Sequence, residues 1–363
     1  MRTLILSSAL LAISVGPSLA ADPITNVDPM PDAAYETTLG SGGATVSVEA
    51  GWANIHLPDI KLGTRVNIGD LSIYSGHVLE GETSLDGYRI GLGYHSAPIS
   101  MGGTSARIGI KGFYADYGHG DTSGTCEAGG STVCEMFPLF DRGPAFWDVT
   151  TNDLASELEY DAERKASEWG VALEMVTADP ASFNGLNLSA GLAFRRLTDD
   201  FNADFFVPGT GNLPGRAEYE QEFQTDYWGI YGGADGSIDL GNNFALNLDG
   251  EAGVYYAHAS YDGRYVSDQG NWPADPPINQ SLSLDNGEWA YILSGRAELA
   301  KKMGNFELAG YVQGDYYSYV PEIKYNNTVQ APIAQLGGGQ SGTEIGSGTA
   351  MSWTAGVVLR AEF

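Results

Sequence analysis

The chain closes on residues 351 to 363, "MSWTAGVVLRAEF". Counting back from Phe363, the residues Ala361, Leu359, Val357, Ala355, Trp353 and Met351 share one side. Glu362, Arg360, Val358, Gly356, Thr354 and Ser352 share the other. A period of two predicts a β-strand whose two faces meet different surroundings.

The same rule recurs upstream. "FELAGYVQGDYYSYV" sets Phe306, Leu308, Val312 and Tyr316 against Glu307, Gln313 and Asp315. "EWAYILSGRAEL" sets Trp289, Tyr291, Leu293 and Leu299 against Arg296 and Glu298. "FALNLDGEAGVYY" and "YWGIYGGADGSIDL" do the same, followed further back by "LNLSAGLAF", "EWGVALEM", "ARIGIKGFY", "YRIGLGY" and "TVSVEAGW". Ten strands are expected. Tight turns fall at 97 to 103, 178 to 185, 241 to 243 and 304 to 305, where turn-tolerant residues gather. Long polar connections are expected near 57 to 84, 118 to 154, 202 to 216, 263 to 283 and 326 to 347. One end of the fold is trimmed and the other elaborated. Residues 57 to 80 keep the phase of the first strand, and twelve strands result if they form a further pair.

Composition narrows the class. The first twenty residues, with Arg2, an apolar run from Leu4 to Val15 and small residues at Ser18 and Ala20, read as a secretory signal. Residues 21 to 42 are expected to form a periplasmic N-terminal segment and 43 to 363 one all-β domain. A formal net charge of −28 repels nucleic acid, which is not an expected partner. Cys126 and Cys134 stand close together in an exported chain, where an oxidising compartment favours a disulfide.

A soluble sandwich also alternates, but two features favour a sheet closed in lipid. Aromatic residues sit near the ends of the apolar faces: Trp52, Tyr88, Tyr94, Trp169, Trp228, Trp289, Trp353 and Phe363. Gly and Ala fill the middle of those faces, which makes a thin core but a tolerable surface against acyl chains. An open sheet edge in lipid would leave amides unsatisfied at several kcal/mol each, so closure is required.

These features together resemble the Gram-negative outer-membrane β-barrel proteins. The terminal strand ending on Phe363 is similar to the signal that the barrel-assembly machinery reads in that class. The resemblance implies a transmembrane antiparallel up-and-down barrel in the bacterial outer membrane. Outer-membrane lipid, lipopolysaccharide and the assembly machinery are its implied partners.

Strand phase then assigns the lumen. Arg89, Arg107, Lys111, Arg195, Arg296 and Arg360 face inward, as do Glu49, Glu174, Asp235, Asp249, Glu251, Glu298, Glu307 and Asp315. Ten strands lie near the closed end of the size range, so a largely side-chain-filled acidic lumen with a structural or surface role is expected. A narrow cation-preferring path is the alternative.

The outline is also similar to that of the omptin proteases, which carry acidic and Asp-x-His pairs at the barrel rim. Here His258 follows Tyr256 rather than Asp, and His119 with Asp121 lacks matching paired carboxylates. No Gly-x-Ser-x-Gly elbow is present. Catalytic residues and cofactors are not expected, and a rim-located hydrolase, an omptin-like protease or a lipid deacylase whose triad is assembled from distant strands, is the second alternative. The acidic runs Asp199, Asp200, Asp204 and Asp153, Glu157, Glu159, Asp161, Glu163 could hold divalent cations, without the spacing of an EF-hand loop.

Overall fold

Antiparallel strands with a lipid-type face need a neighbour on each edge, and the chain supplies one by closing on itself. The computed structural model describes residues 43–67, 73–80, 82–101, 104–128, 132–136, 156–178, 185–207, 215–267, 278–325 and 343–363. The signal and periplasmic segments expected over 1 to 42 lie outside them.

Ten strands build the barrel: β1 (Thr45–His56), β4 (Ser84–His95), β6 (Thr104–Ala128), β8 (Ser156–Thr177), β9 (Leu186–Val207), β10 (Gly215–Gly241), β11 (Phe244–Ser267), β12 (Ile278–Met303), β13 (Phe306–Tyr325) and β14 (Thr343–Glu362). Each pairs antiparallel with its neighbours, and β1 pairs with β14 on one side and β4 on the other, which closes the ring. The strand that contains residues 351 to 362 thus closes the ring. A short β5 (Ile99–Met101) folds back on β6 within a turn.

The stretch from 57 to 80 does not add barrel strands. Its β2 (Lys61–Asn67) and β3 (Ile73–Glu80) join β7 (Thr132–Met136) in a separate three-stranded sheet. Ten barrel strands is the outcome, as expected.

The long connections need correction. The ends of the expected polar connections are strand: β6 runs to Ala128, β9 and β10 continue to Val207 and from Gly215, and β11 and β12 to Ser267 and from Ile278. Backbone amides beyond the lipid still gain by pairing, and the period of two persists with its polarity exchanged. Around the belt the outward residues are apolar, as with Leu92, Leu173, Leu192, Ile230, Leu293 and Val357. Higher up, the outward positions carry Asp200, Asn202, Asp204, Glu218, Glu220 and Glu222, while Phe201, Phe205, Tyr219, Phe223 and Tyr261 are buried inside. The same strand is built for lipid at one end and for water at the other.

The boundary is an aromatic band. Trp52 pairs with Tyr88, Tyr114 with Trp169, Phe194 with Trp228, Trp228 with Tyr256, and Tyr256 with Trp289. Phe194 is packed against Trp169 and Trp228 with ring centres 4.9 and 4.3 Å away. From Trp353 in this band to Phe363 at the trimmed end is eleven residues, which suits the roughly 9 to 11 that cross a bilayer.

Above the band the chain between β1 and β4 turns inward, burying Leu57 and Ile60. Arg164 on β8 holds it there, donating to the carbonyls of Pro58 at 2.9 Å and Glu82 at 3.0 Å and to both oxygens of Asp199 at 2.7 and 2.8 Å. A bulge where Gly118 adopts φ 67° reverses the phase of β6, so that His119 and Asp121 point outward.

Candidate functional site

The lumen gathers the charged residues that strand phase sends inward. Near the trimmed end, Arg360 donates to Glu307 at 2.6 Å and to Glu298 at 2.6 and 2.8 Å. Arg296 continues the chain to Glu298 at 2.5 Å and Glu49 at 2.7 Å, with its guanidinium over the Tyr311 ring. Arg107 reaches Thr45 at 3.5 Å.

Lys111 bridges Glu174, at 3.1 Å, and Glu251, which stand on different strands. Glu174 also accepts from the Tyr231 hydroxyl at 2.5 Å and lies 2.9 Å from Nε2 of His95. Gly109 makes room for this pair, because a Cβ there would come within 2.5 Å of the His95 ring. Asp235 accepts from Asn187 at 2.8 Å, and Asp249 stands in register between Asp235 and Arg296.

One level higher, Arg89 meets Asp315 at 3.4 Å and Glu49 at 3.7 Å, with its guanidinium 4.0 Å above Phe113. Asp315 accepts further bonds from Ser294 at 2.5 Å and Gln313 at 3.0 Å. Arg195 lies 3.6 Å from Glu168 and donates to the Tyr317 hydroxyl at 3.0 Å. Buried Tyr117 and Tyr317 both donate to Glu168, at 3.0 and 2.6 Å. Above this layer an apolar cluster reaches across the interior, with Ile55, Leu85, Leu197, Tyr227, Ile292, Tyr319 and Val320 among its buried members.

Charge alternation is what made the lower lumen readable. Glu168, Tyr117, Tyr227, Tyr317 and Tyr319 were missed, although the phase of Trp169, Val171 and Leu173 already sends Glu168 inward. Tyrosines are ordinary strand formers, so nothing in their type marked them as lumen residues. The Arg164–Asp199 pair was missed for another reason. Asp199 was read as part of an acidic run, whereas it points in while Asp200 points out.

The remaining candidates separate. His258 lies on the outward face, 4.0 Å from Asp285, and His119 lies outward on a different strand. The acidic residues Glu159, Asp161, Glu163, Asp200 and Asp204 sit on paired strands rather than loops, while Asp153 lies outside the described residues. Among the described residues no cluster of three or more His, Cys, Asp or Glu is placed to hold a metal ion. Cys126 is buried near the end of β6, and the side chain of Cys134 lies outside the described residues, as does the expected bond.

A closed, ten-stranded antiparallel barrel with an apolar belt and a charged interior is the fold class of transmembrane up-and-down β-barrels. No protein-family description matches the chain, and no curated protein matches it. Among solved structures it is similar to the outer membrane protease OmpT from Escherichia coli, at 12% identity and a TM-score of 0.41 over 88% of this chain and 97% of that one. It is also similar to a Pseudomonas aeruginosa FadL homologue, at 8% identity and a TM-score of 0.26 over 88% of this chain and 90% of that one. These likenesses concern the fold alone.

Proposed function

We propose that this chain is an integral protein of the bacterial outer membrane with a structural or surface role, whose lumen is sealed by its own side chains. The observation that carries the reading is the stack of two layers inside the barrel. Arg89, Arg195, Asp315 and Glu168 neutralise one another across the lumen, and the apolar cluster with Tyr227 and Tyr319 lies directly above. An aqueous path would have to break both layers, and buried ion pairs that lose a partner are costly. A barrel of ten strands encloses little more than such side chains.

The role follows from what remains. The belt anchors the protein, and the tall acidic wall above it is what the cell surface meets. Outer-membrane lipid and lipopolysaccharide are the partners of the belt, with divalent cations between the acidic wall and lipid phosphates. The barrel-assembly machinery is the partner of the strand that ends on Phe363. The protein acts without catalysis in this reading: His119 and His258 stand apart on outward faces.

Conductance across a planar bilayer tests the seal. The purified barrel should insert without discrete steps. Stable steps would overturn the sealed reading, and cation selectivity would favour passage past the carboxylates Glu174, Asp235, Asp249 and Glu251.

A further inference from the structure

Above the belt the wall of the barrel splits. β12 and β13 pair from Met303 with Phe306 up to Ile292 with Tyr317, and among the described residues no further. Yet β12 extends to Ile278 and β13 to Tyr325. Over these lengths β12 pairs with β11 and β13 with β14. Side chains stitch the foot of the split: the Tyr291 amide donates to Ser318 Oγ at 2.8 Å, and Asn286 Nδ2 to the Tyr319 hydroxyl at 3.5 Å.

The Tyr291 amide therefore points toward β13. The ladder between β11 and β12 has no register shift, so alternation sends the backbone groups of Trp289, Gly287, Asp285, Ser283, Ser281 and Asn279 the same way. A second observation marks the opening. Glu288 occupies an inward position opposite Ala257, which is fully buried, but Glu288 itself is exposed. An inward side chain meets water at that height because the wall beside it is open.

We propose that the split between β12 and β13 is a strand-acceptor site for an extended, basic segment of another protein. An edge with consecutive unpaired amides and carbonyls is a template for one more strand, whose main chain supplies affinity and whose alternate side chains supply specificity. On β12 the exposed carboxylates of Asp285, on the outward face, and Glu288, on the inward face, border the split. Lysine or arginine at alternate positions shares one face of the added strand and so meets Asp285 outside or Glu288 inside. A second copy of this chain, at a net charge of −28 and with the same acidic edge, would be repelled. The inference goes beyond the sealed lumen and holds whether or not the barrel conducts.

The test uses the full-length barrel in detergent micelles and a blocked peptide alternating lysine with valine. Amide hydrogen exchange should slow about tenfold or more at alternate residues from Asn279 to Trp289 when the peptide is added. Asp285→Asn combined with Glu288→Gln should weaken peptide binding about tenfold. A peptide of the same sequence, N-methylated so that it cannot pair, should lose the protection. Equal protection by the methylated peptide would overturn the proposal, as would no protection by the parent peptide. Slow exchange before any peptide is added would also overturn it, since the edge would then be covered by this chain or by a second copy.

Discussion

The hydroxyl of Tyr317 on β13 donates to Oε1 of Glu168 on β8 at 2.6 Å, a bond that joins strands which are not neighbours in the barrel wall. Both side chains are buried, and Tyr117 and Arg195 converge on the same carboxylate. Glu168→Ala leaves two buried hydroxyls without their acceptor and takes one of the two neighbouring carboxylates from Arg195. It should lower the stability of the refolded barrel by about 3 to 5 kcal/mol, read as a shift in the denaturant midpoint. A loss below about 1 kcal/mol would mean that the layer is not coupled as its geometry indicates.

The height of the lipid can be mapped by charge. Leu293 lies outward below the aromatic band and Ser260 lies above it. Leu293→Arg should cost about 2 to 4 kcal/mol, the amount typical of a basic residue near the bilayer midplane. Ser260→Arg should cost less than about 0.5 kcal/mol, as for an ordinary surface change. Unfolding in lipid vesicles measures both, and equal costs would place the belt elsewhere.

Asp200 gives the acidic wall a pH signature. Burial, together with Glu222 opposite it and Asp199 beside it, pushes its carboxyl above the usual aspartate range. The folded state then holds the proton more tightly than the unfolded chain. Its ionisation works against folding, with a penalty that grows as pH rises through the window above the ordinary aspartate value and persists at neutral pH. Asp200→Asn should raise the melting temperature near neutrality and leave it unchanged well below that window. An unchanged melting temperature at both would show that the wall tolerates the charge.

Arg164 is the latch of the inward-turned segment. Arg164→Met removes the donors to Pro58, Glu82 and Asp199 while keeping bulk. Limited proteolysis between residues 57 and 83 should quicken at least about tenfold, with the belt still intact. Unchanged cleavage would show that burial of Leu57 and Ile60 holds the segment alone.

The assembly role proposed for Phe363 can be separated from stability. The ring is exposed on the outward face, and the Phe363 amide donates to the Ala44 carbonyl at 3.0 Å. Phe363→Ala should reduce the folded barrel recovered from outer membranes several-fold. The protein refolded in detergent should lose less than about 1 kcal/mol. Equal losses in the two settings would make the residue structural only.

The sequence by itself determined the membrane strands and their phase, because a period of two is a local property and lipid exposes it on every strand. Arg89, Lys111, Arg296 and Arg360 could be placed in the lumen for the same reason. Ten strands rather than twelve was decided by the separate sheet that residues 57 to 80 join. Only the tertiary structure decided that Glu168 is shared by Tyr117 and Tyr317, that Arg164 spans to Pro58, and that β12 and β13 part above Ile292. Those relations join residues far apart in the chain, and alternation fixes which side a residue takes without fixing what stands opposite. The exchange of polarity above Trp169 and Trp228 lay between the two cases. Its letters were present in runs such as "TDDFNAD", but water and lipid sort the same pattern in opposite senses, and only the height of the band told them apart.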